Sequence, residues 1–214
     1  MEKDLKKENS PQLTVILLAT FFMVIASHLG MEWAFQKAID KAEALKNLGM
    51  FAVATAMSGI LANLLPAGVK HFLVFIGHRH ALPGHRCPEI CARDPRIPFG
   101  EAERKWPALF SSETEQKDKN ALWYQKVYKP VRDLESVRNS HRNFLLFRDA
   151  FSSTILLFVL AVVLYFTKYS VFGIAVSYTT ILVLGLESVI TLIAARNSGN
   201  RMVVNAVSNA LDMN

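Results

Sequence analysis

The stretches FSSTILLFVLAVVLYFT (Phe151–Thr167) and VFGIAVSYTTILVLGLESVITLIAA (Val171–Ala195), parted only by Lys168, Tyr169 and Ser170, decide the fold. A helix needs roughly 20 apolar residues to cross a hydrocarbon core about 30 Å thick, and each stretch approaches that length. Upstream, LTVILLATFFMVIASHL (Leu13–Leu29) and GMFAVATAMSGILANLLPAGV (Gly49–Val69) repeat the arrangement. Backbone groups in lipid must be satisfied within the segment, so apolar runs of this length predict helices. The expectation is an all-α membrane protein with four transmembrane helices, two plus two, and a small helical cytoplasmic module between the second and third spans.

The expected segments follow from the run boundaries. Spans cover 13–30, 49–69 (kinked near Pro66), 151–167 and 171–195. A cytoplasmic N-terminus occupies 1–12, a short outer loop 31–48 and a tight outer turn 168–170. The basic cytoplasmic module is 70–150, and an amphipathic cytoplasmic tail is 196–214. With 51% hydrophobic residues and mean hydropathy +0.23, the 214-residue chain lies only just above soluble averages, because its middle third is strongly polar.

Charge sets the topology. The net charge is +6, and residues 70–149 hold 15 basic and 10 acidic side chains. The outer loop balances Lys37, Lys41 and Lys46 against Glu32, Asp40 and Glu43, whereas Lys3, Lys6 and Lys7 precede the first span and Arg196 and Arg201 follow the last. Lys and Arg flanking spans stay on the cytoplasmic side, so both termini and the module are expected there. A signal peptide ending near Val24-Ile25-Ala26 is the competing reading of the first run, but Glu2, Asp4 and Glu8 are foreign to a signal's basic leader. Cys87 and Cys91 in a reducing cytoplasm remain thiols or bind metal.

Within the module, Pro83, Gly84, Pro88, Pro95, Pro98 and Gly100 read as loop from His78 to Gly100. Ser112 and Glu115 match a capping box opening a helix that ends at Pro130. A long helix is expected from about Val131 to Phe166, and a short separate one in the tail, with Val203, Val204, Val207 and Leu211 on one side.

Glu187 is the sharpest single residue, an acid inside an apolar span. Such residues face the bundle interior and mark functional sites by default. Ser177, Thr180, Glu187 and Thr191 share a helical face, and Asn63 lies at similar depth, so an intramembrane polar site is expected, with Lys70 reaching it from the interface. An interhelical hydrogen bond is the plainer account, worth about 1 kcal/mol. Ala54, Ser58 and Ala62, and Gly173, Ser177 and Gly185, mark close helix approach, within the chain or between copies.

His78, His80, His85, Cys87 and Cys91 are zinc-type ligands, but no distant partner pair completes a finger. The plainer reading is a juxtamembrane basic strip against anionic lipid headgroups. Arg86, Arg93, Arg96, Arg104, Lys105, Trp106, Trp123 and Tyr124 mix cations with aromatics, which suits nucleic acid or a nucleotide. Ten interleaved acids argue against nucleic acid and for a solvated helical surface. There is no glycine-rich phosphate loop, H-E-x-x-H or G-x-S-x-G, so no cofactor, resident metal or catalytic residue is expected.

From Leu82 onward a set of motifs recurs: Leu82-Pro83-Gly84-x-Arg86, Asp94-Pro95-Arg96-Ile97, Leu122-Trp123-Tyr124, His141-Arg142 running into Arg148-Asp149, and Ala195-Arg196-Asn197-x-Gly199-Asn200-Arg201. In these the chain resembles a family of small bacterial four-span membrane proteins to which no activity attaches. The cysteines are not part of that pattern. The resemblance implies a cytoplasmic module under four spans, and a polar network beneath the bilayer from Arg86, Asp94, Arg96, Arg148, Asp149, Asn197 and Arg201. Arg–carboxylate pairs suit that place because they are planar and bidentate.

The functional expectation is a non-enzymatic, homo-oligomeric membrane scaffold or sensor that couples its bundle to a cytoplasmic protein partner, in a bacterial defence or signalling cassette. A small channel or transporter using Glu187 and Asn63, and a lipid-directed enzyme using the His/Cys/Arg loop, are the alternatives.

Overall fold

The computed structural model describes residues 2–29, 60–76, 81–168, 170–171 and 174–213. It is all-helical but for one two-residue ladder. The chain forms two compact units, Met1–Lys70 with Leu146–Ile193, and His71–Leu145 with Ala194–Asn214. Helices α1 (Glu2–Leu29), α2 (Ala67–Val74), α3 (Pro83–Arg93), α4 (Phe99–Lys105), α5 (Pro107–Phe110) and α6 (Gln116–Leu122) lead into a π-helical stretch, Trp123–Tyr128. After it come α7 (Lys129–Val131), α8 (Glu135–Thr167) and α9 (Tyr178–Asp212). Among the described residues, α8 and α9 are the two helices long and apolar enough to cross a membrane. The run from Leu13 lies in α1, while residues 49–59 of the second run, with Ala54 and Ser58, lie outside the described residues.

In the first unit, α1 starts at Glu2 rather than at the apolar run. The reason is a buried stripe at helical spacing, Leu5, Asn9, Leu13 and Leu17, that extends through the charged leader. Leu13, Leu17, Ala62, Leu146 and Ala150 form a core with Ile16 and Leu61 against it. Gly185 of α9 lets the Phe158 ring of α8 within 3.2 Å of where a Cβ would stand, the close approach that small residues permit. The outer face is apolar: Leu160, Val163 and Phe166 of α8 and Leu186, Ile190 and Ile193 of α9 are each more than half exposed.

The turn between α8 and α9 is longer than the expected 168–170. Lys168 adopts φ 53°, the left-handed conformation that ends helices, and α9 does not begin until Tyr178. Between them Ser170–Val171 and Ile174–Ala175 pair antiparallel. Ser177 is the N-cap: its Oγ accepts the Thr180 N–H at 3.1 Å. At its other end α9 runs unbroken to Asp212, so the tail is not a separate helix.

The second unit corrects the loop reading of 78–100. Residues Pro83–Arg93 are helical, with Pro83 in the first turn, where a missing N–H costs nothing. Arg86, Cys87 and Cys91 are buried, and the Asp94-Pro95-Arg96-Ile97 turn ends α3, its Asp94 N–H returning to Ile90 O (3.1 Å). Ser112 caps nothing; Glu115 is the N-cap of α6 and makes no side-chain cap bond. Pro130 does not stop the helix, because the π-helical stretch before it carries the chain on into α7. That stretch turns Trp123 inward, stacked on Tyr128 at 5.4 Å, whose hydroxyl bonds His141 Nδ1 at 2.6 Å. Of the Leu-Trp-Tyr motif, Trp123 thus supplies core, while Tyr124 is exposed and the half-buried His141 of the His-Arg motif holds Tyr128. Lys105 donates to Ala210 O and Met213 O, both at 2.8 Å, and so covers the carbonyls at the end of α9.

Gly84 packs directly on α6. A Cβ there would lie 2.5 Å from Asn120 Cα and 2.6 Å from Lys119 O, both backbone. Gly84→Ala should therefore destabilise the second unit by about 1–3 kcal/mol, read from the Trp123 fluorescence transition in denaturant; a wild-type midpoint contradicts the packing described.

Candidate functional site

The second unit contains an open cavity of about 550 Å³ between one face of α3 and one face of α9. Arg86, Glu89, Ile90 and Arg93 lie at i, i+3, i+4 and i+7, and Arg196, Asn197, Asn200, Arg201 and Val204 make the matching stripe. Asp94, Pro95 and Arg96 close one end and Phe75 forms part of the wall. Five arginines face two acids, and each acid is already matched. Glu89 pairs with Arg93 at 2.8 Å. Arg96 donates to both oxygens of Asp94 (3.0 and 2.9 Å), which holds that carboxyl below its usual range. Arg86, Arg196 and Arg201 are left as positive surplus.

Arg86 is only 4% exposed. Its Nε donates to Ala81 O (3.1 Å), its Nη1 to Asn200 Oδ1 (2.6 Å), and its guanidinium lies 3.5 Å from the Phe75 ring centroid. Nη2 is buried and has no acceptor. Burial lowers the pKa to about 10, so the group is a poorly solvated cation at neutral pH. Arg196 is braced differently: Nε donates to Val74 O (2.6 Å) and Nη2 to Ile76 O (3.1 Å), carbonyls at the end of α2. Arg201 is exposed. Such a set of oriented, partly desolvated guanidinium groups can bind a planar or tetrahedral oxyanion.

Gly199 opposes the cavity side of α9. Its missing Cβ would stand 2.9 Å from Phe75 and 3.0 Å from Phe144, so glycine lets α9 approach the aromatic wall that supports Arg86.

The first unit gathers a second polar cluster. Lys70 Nζ (2% exposed) donates to Asp149 Oδ1 at 2.9 Å and also to Ala62 O. Arg148, fully buried, donates Nε to the same Oδ1 at 3.1 Å. One carboxylate thus serves two buried cations. Glu187 Oε1 accepts from Thr20 of α1 at 2.5 Å. The rest of its face is engaged in packing: Thr191 bonds Glu187 O (2.8 Å) and bridges to Thr154 of α8 (3.3 Å), and Ser177 caps α9 beside Thr180. Asn63 is exposed.

Of the network expected from sequence, Arg86, Asp94, Arg96, Asn197 and Arg201 do line one cavity. Arg148 and Asp149 belong to the other unit, where Lys70 is their partner rather than Glu187's. Arg93, Arg196 and Asn200 complete the cavity and were not in the expected set. Their spacing would have revealed them had α3 been read as helix. Cys87 and Cys91 face each other in the core with sulfurs 3.6 Å apart, and the hydrogen bond with Cys91, then burial, raise the Cys87 thiol well above its usual value. His78 and His80 lie outside the described residues, among which no group of three His, Cys, Asp or Glu side chains converges on a metal site. Comparison with family models, curated proteins and solved structures found no match to this chain.

Two substitutions separate the polar clusters of the first unit. Asp149→Asn leaves Lys70 and Arg148 buried without their carboxylate and should cost about 3–5 kcal/mol in detergent-unfolding midpoints. Glu187→Gln keeps an oxygen for Thr20 and should cost under about 1 kcal/mol. A larger loss at Glu187 than at Asp149 contradicts the assignment. Cys87 and Cys91 should resist alkylation by iodoacetamide in the folded protein and react on unfolding, as mass spectrometry would report.

Proposed function

We propose that this is a four-span protein of the bacterial inner membrane that acts as a non-enzymatic sensor, coupling its bundle to a cytoplasmic protein partner. The observation that carries the reading is the arginine-lined cavity of the second unit. At its wall the buried Arg86 keeps one nitrogen, Nη2, without an acceptor, and an anionic ligand would supply one. The apolar exterior of the first unit supports the membrane part, since a soluble unit rarely leaves a patch of this kind in water.

In this reading the spans are 13–30, 49–69, 151–167 and the apolar part of α9, with both termini and the basic module cytoplasmic. Basic residues near the bilayer meet anionic headgroups. The protein is a homo-oligomer, and it works in a defence or signalling cassette whose other member reads the loaded state. Around Glu187, Oε1 and the Thr191 and Thr154 hydroxyls are held by packing bonds, while Oε2 is buried without a partner.

A single cysteine at Lys117, in a Cys87→Ala, Cys91→Ala background, tests the placement. A membrane-impermeant maleimide should label it only after the cells are permeabilised. Labelling in intact cells overturns the orientation, and a strictly monomeric purified protein with no co-purifying partner overturns the coupling role.

A further inference from the structure

Resting on the anion-sensing reading, we infer that the cavity of the second unit binds a soluble nucleoside phosphate, its phosphoryl group held by Arg86, Arg196 and Arg201. Three observations lead there. The first is an unmet donor. Arg86 Nη2 is enclosed in a side chain 96% removed from solvent and has no acceptor, while its sister atoms are fixed by Ala81 O and Asn200. A buried donor left unsatisfied costs about 1–3 kcal/mol; Nη2 is enclosed rather than on the cavity surface, so an oxyanion removes that cost once a small turn of the side chain brings Nη2 to the cavity. Nε and Nη1 are already engaged, so Arg86 offers a phosphate its charge and this one donor.

The second is charge. The two acids of the lining are each paired, Glu89 with Arg93 and Asp94 with Arg96, and five arginines against two acids leave the lining net positive. The third is size and lining. A volume near 550 Å³ far exceeds a phosphate ion and falls in the range of small-molecule sites, roughly 300–1,000 Å³. Apolar Ile90 and Val204 share the wall with the amides of Asn197 and Asn200. That mixture suits a flat heterocycle, which offers an apolar face and hydrogen-bonding edges. A bare polyanion would use only the arginines. A carboxylate metabolite would meet the same charge without the tetrahedral set of oxygens that three separate guanidinium groups can share.

The full-length protein in nanodiscs of zwitterionic lipid would be titrated calorimetrically with ATP, AMP, pyrophosphate and citrate. The expected result is that ATP or AMP binds about tenfold or more tightly than pyrophosphate, and citrate more weakly still. Arg201→Gln should weaken nucleotide binding about tenfold with an unchanged melting temperature, because Arg201 is exposed; Arg86→Lys should weaken it further. Pyrophosphate or citrate binding as tightly as both nucleotides overturns the nucleoside assignment but leaves anion sensing standing. Binding by none of the four overturns both. Nucleotide binding indifferent to Arg201→Gln and Arg86→Lys places the ligand elsewhere and overturns the site. Loss of nucleotide binding when anionic lipid enters the nanodisc shows that a headgroup phosphate owns the cavity and overturns the soluble ligand.

Discussion

Everything in this structure depends on where apolar side chains are allowed to point. In the first unit they point outward as well as inward: Leu160, Phe166, Leu186 and Ile190 stand in the open. In the second unit the same helices turn apolar groups inward, at Phe144 and Leu145 of α8 and at Met202, Val203 and Val207 of α9. Burying apolar surface is worth about 25 cal/mol per Å², so an outward face of this kind on two helices long and apolar enough to cross a membrane calls for a cover, which we propose is lipid. In that reading a helix that reverses its apolar pattern along its length meets two solvents.

The same proposal bears on where charge sits. In the first unit, the buried Lys70 and Arg148 share one carboxylate. Ion pairs of this kind contribute little net stability, because desolvation cancels most of the attraction, but they penalise any arrangement that separates them. In the second unit, by contrast, Arg86 is buried with neutral acceptors and an aromatic ring and no carboxylate. The proposed binding role rests on that buried cation beside the cavity.

The sequence was legible where one physical rule dominated. The third apolar run, and the fourth from Tyr178 onward, sit in the two helices long and apolar enough to cross a membrane, and the long helix expected from about Val131 to Phe166 is found as Glu135–Thr167. It misled where local signals outvoted tertiary ones. Pro83, Gly84 and Pro88 read as loop, yet Pro83 only opens α3, and Gly84 is there for contact with α6, which no single-sequence rule reveals. Ser112 offered a capping pattern that the chain does not use. Motif residues scattered from Arg86 to Arg201 pointed at a polar network. The division of that network between two units was hidden, because Arg148 and Asp149 differ from the rest only in what α8 packs against at that level.

The division of solvents is tested most directly by spin labels on the full-length protein in nanodiscs. Labels at Leu160, Leu186 and Ile190 should collide readily with oxygen and be shielded from a water-soluble nickel chelate, while a label at Arg104 shows the reverse. A nickel-accessible pattern at all three of the first positions would contradict the account.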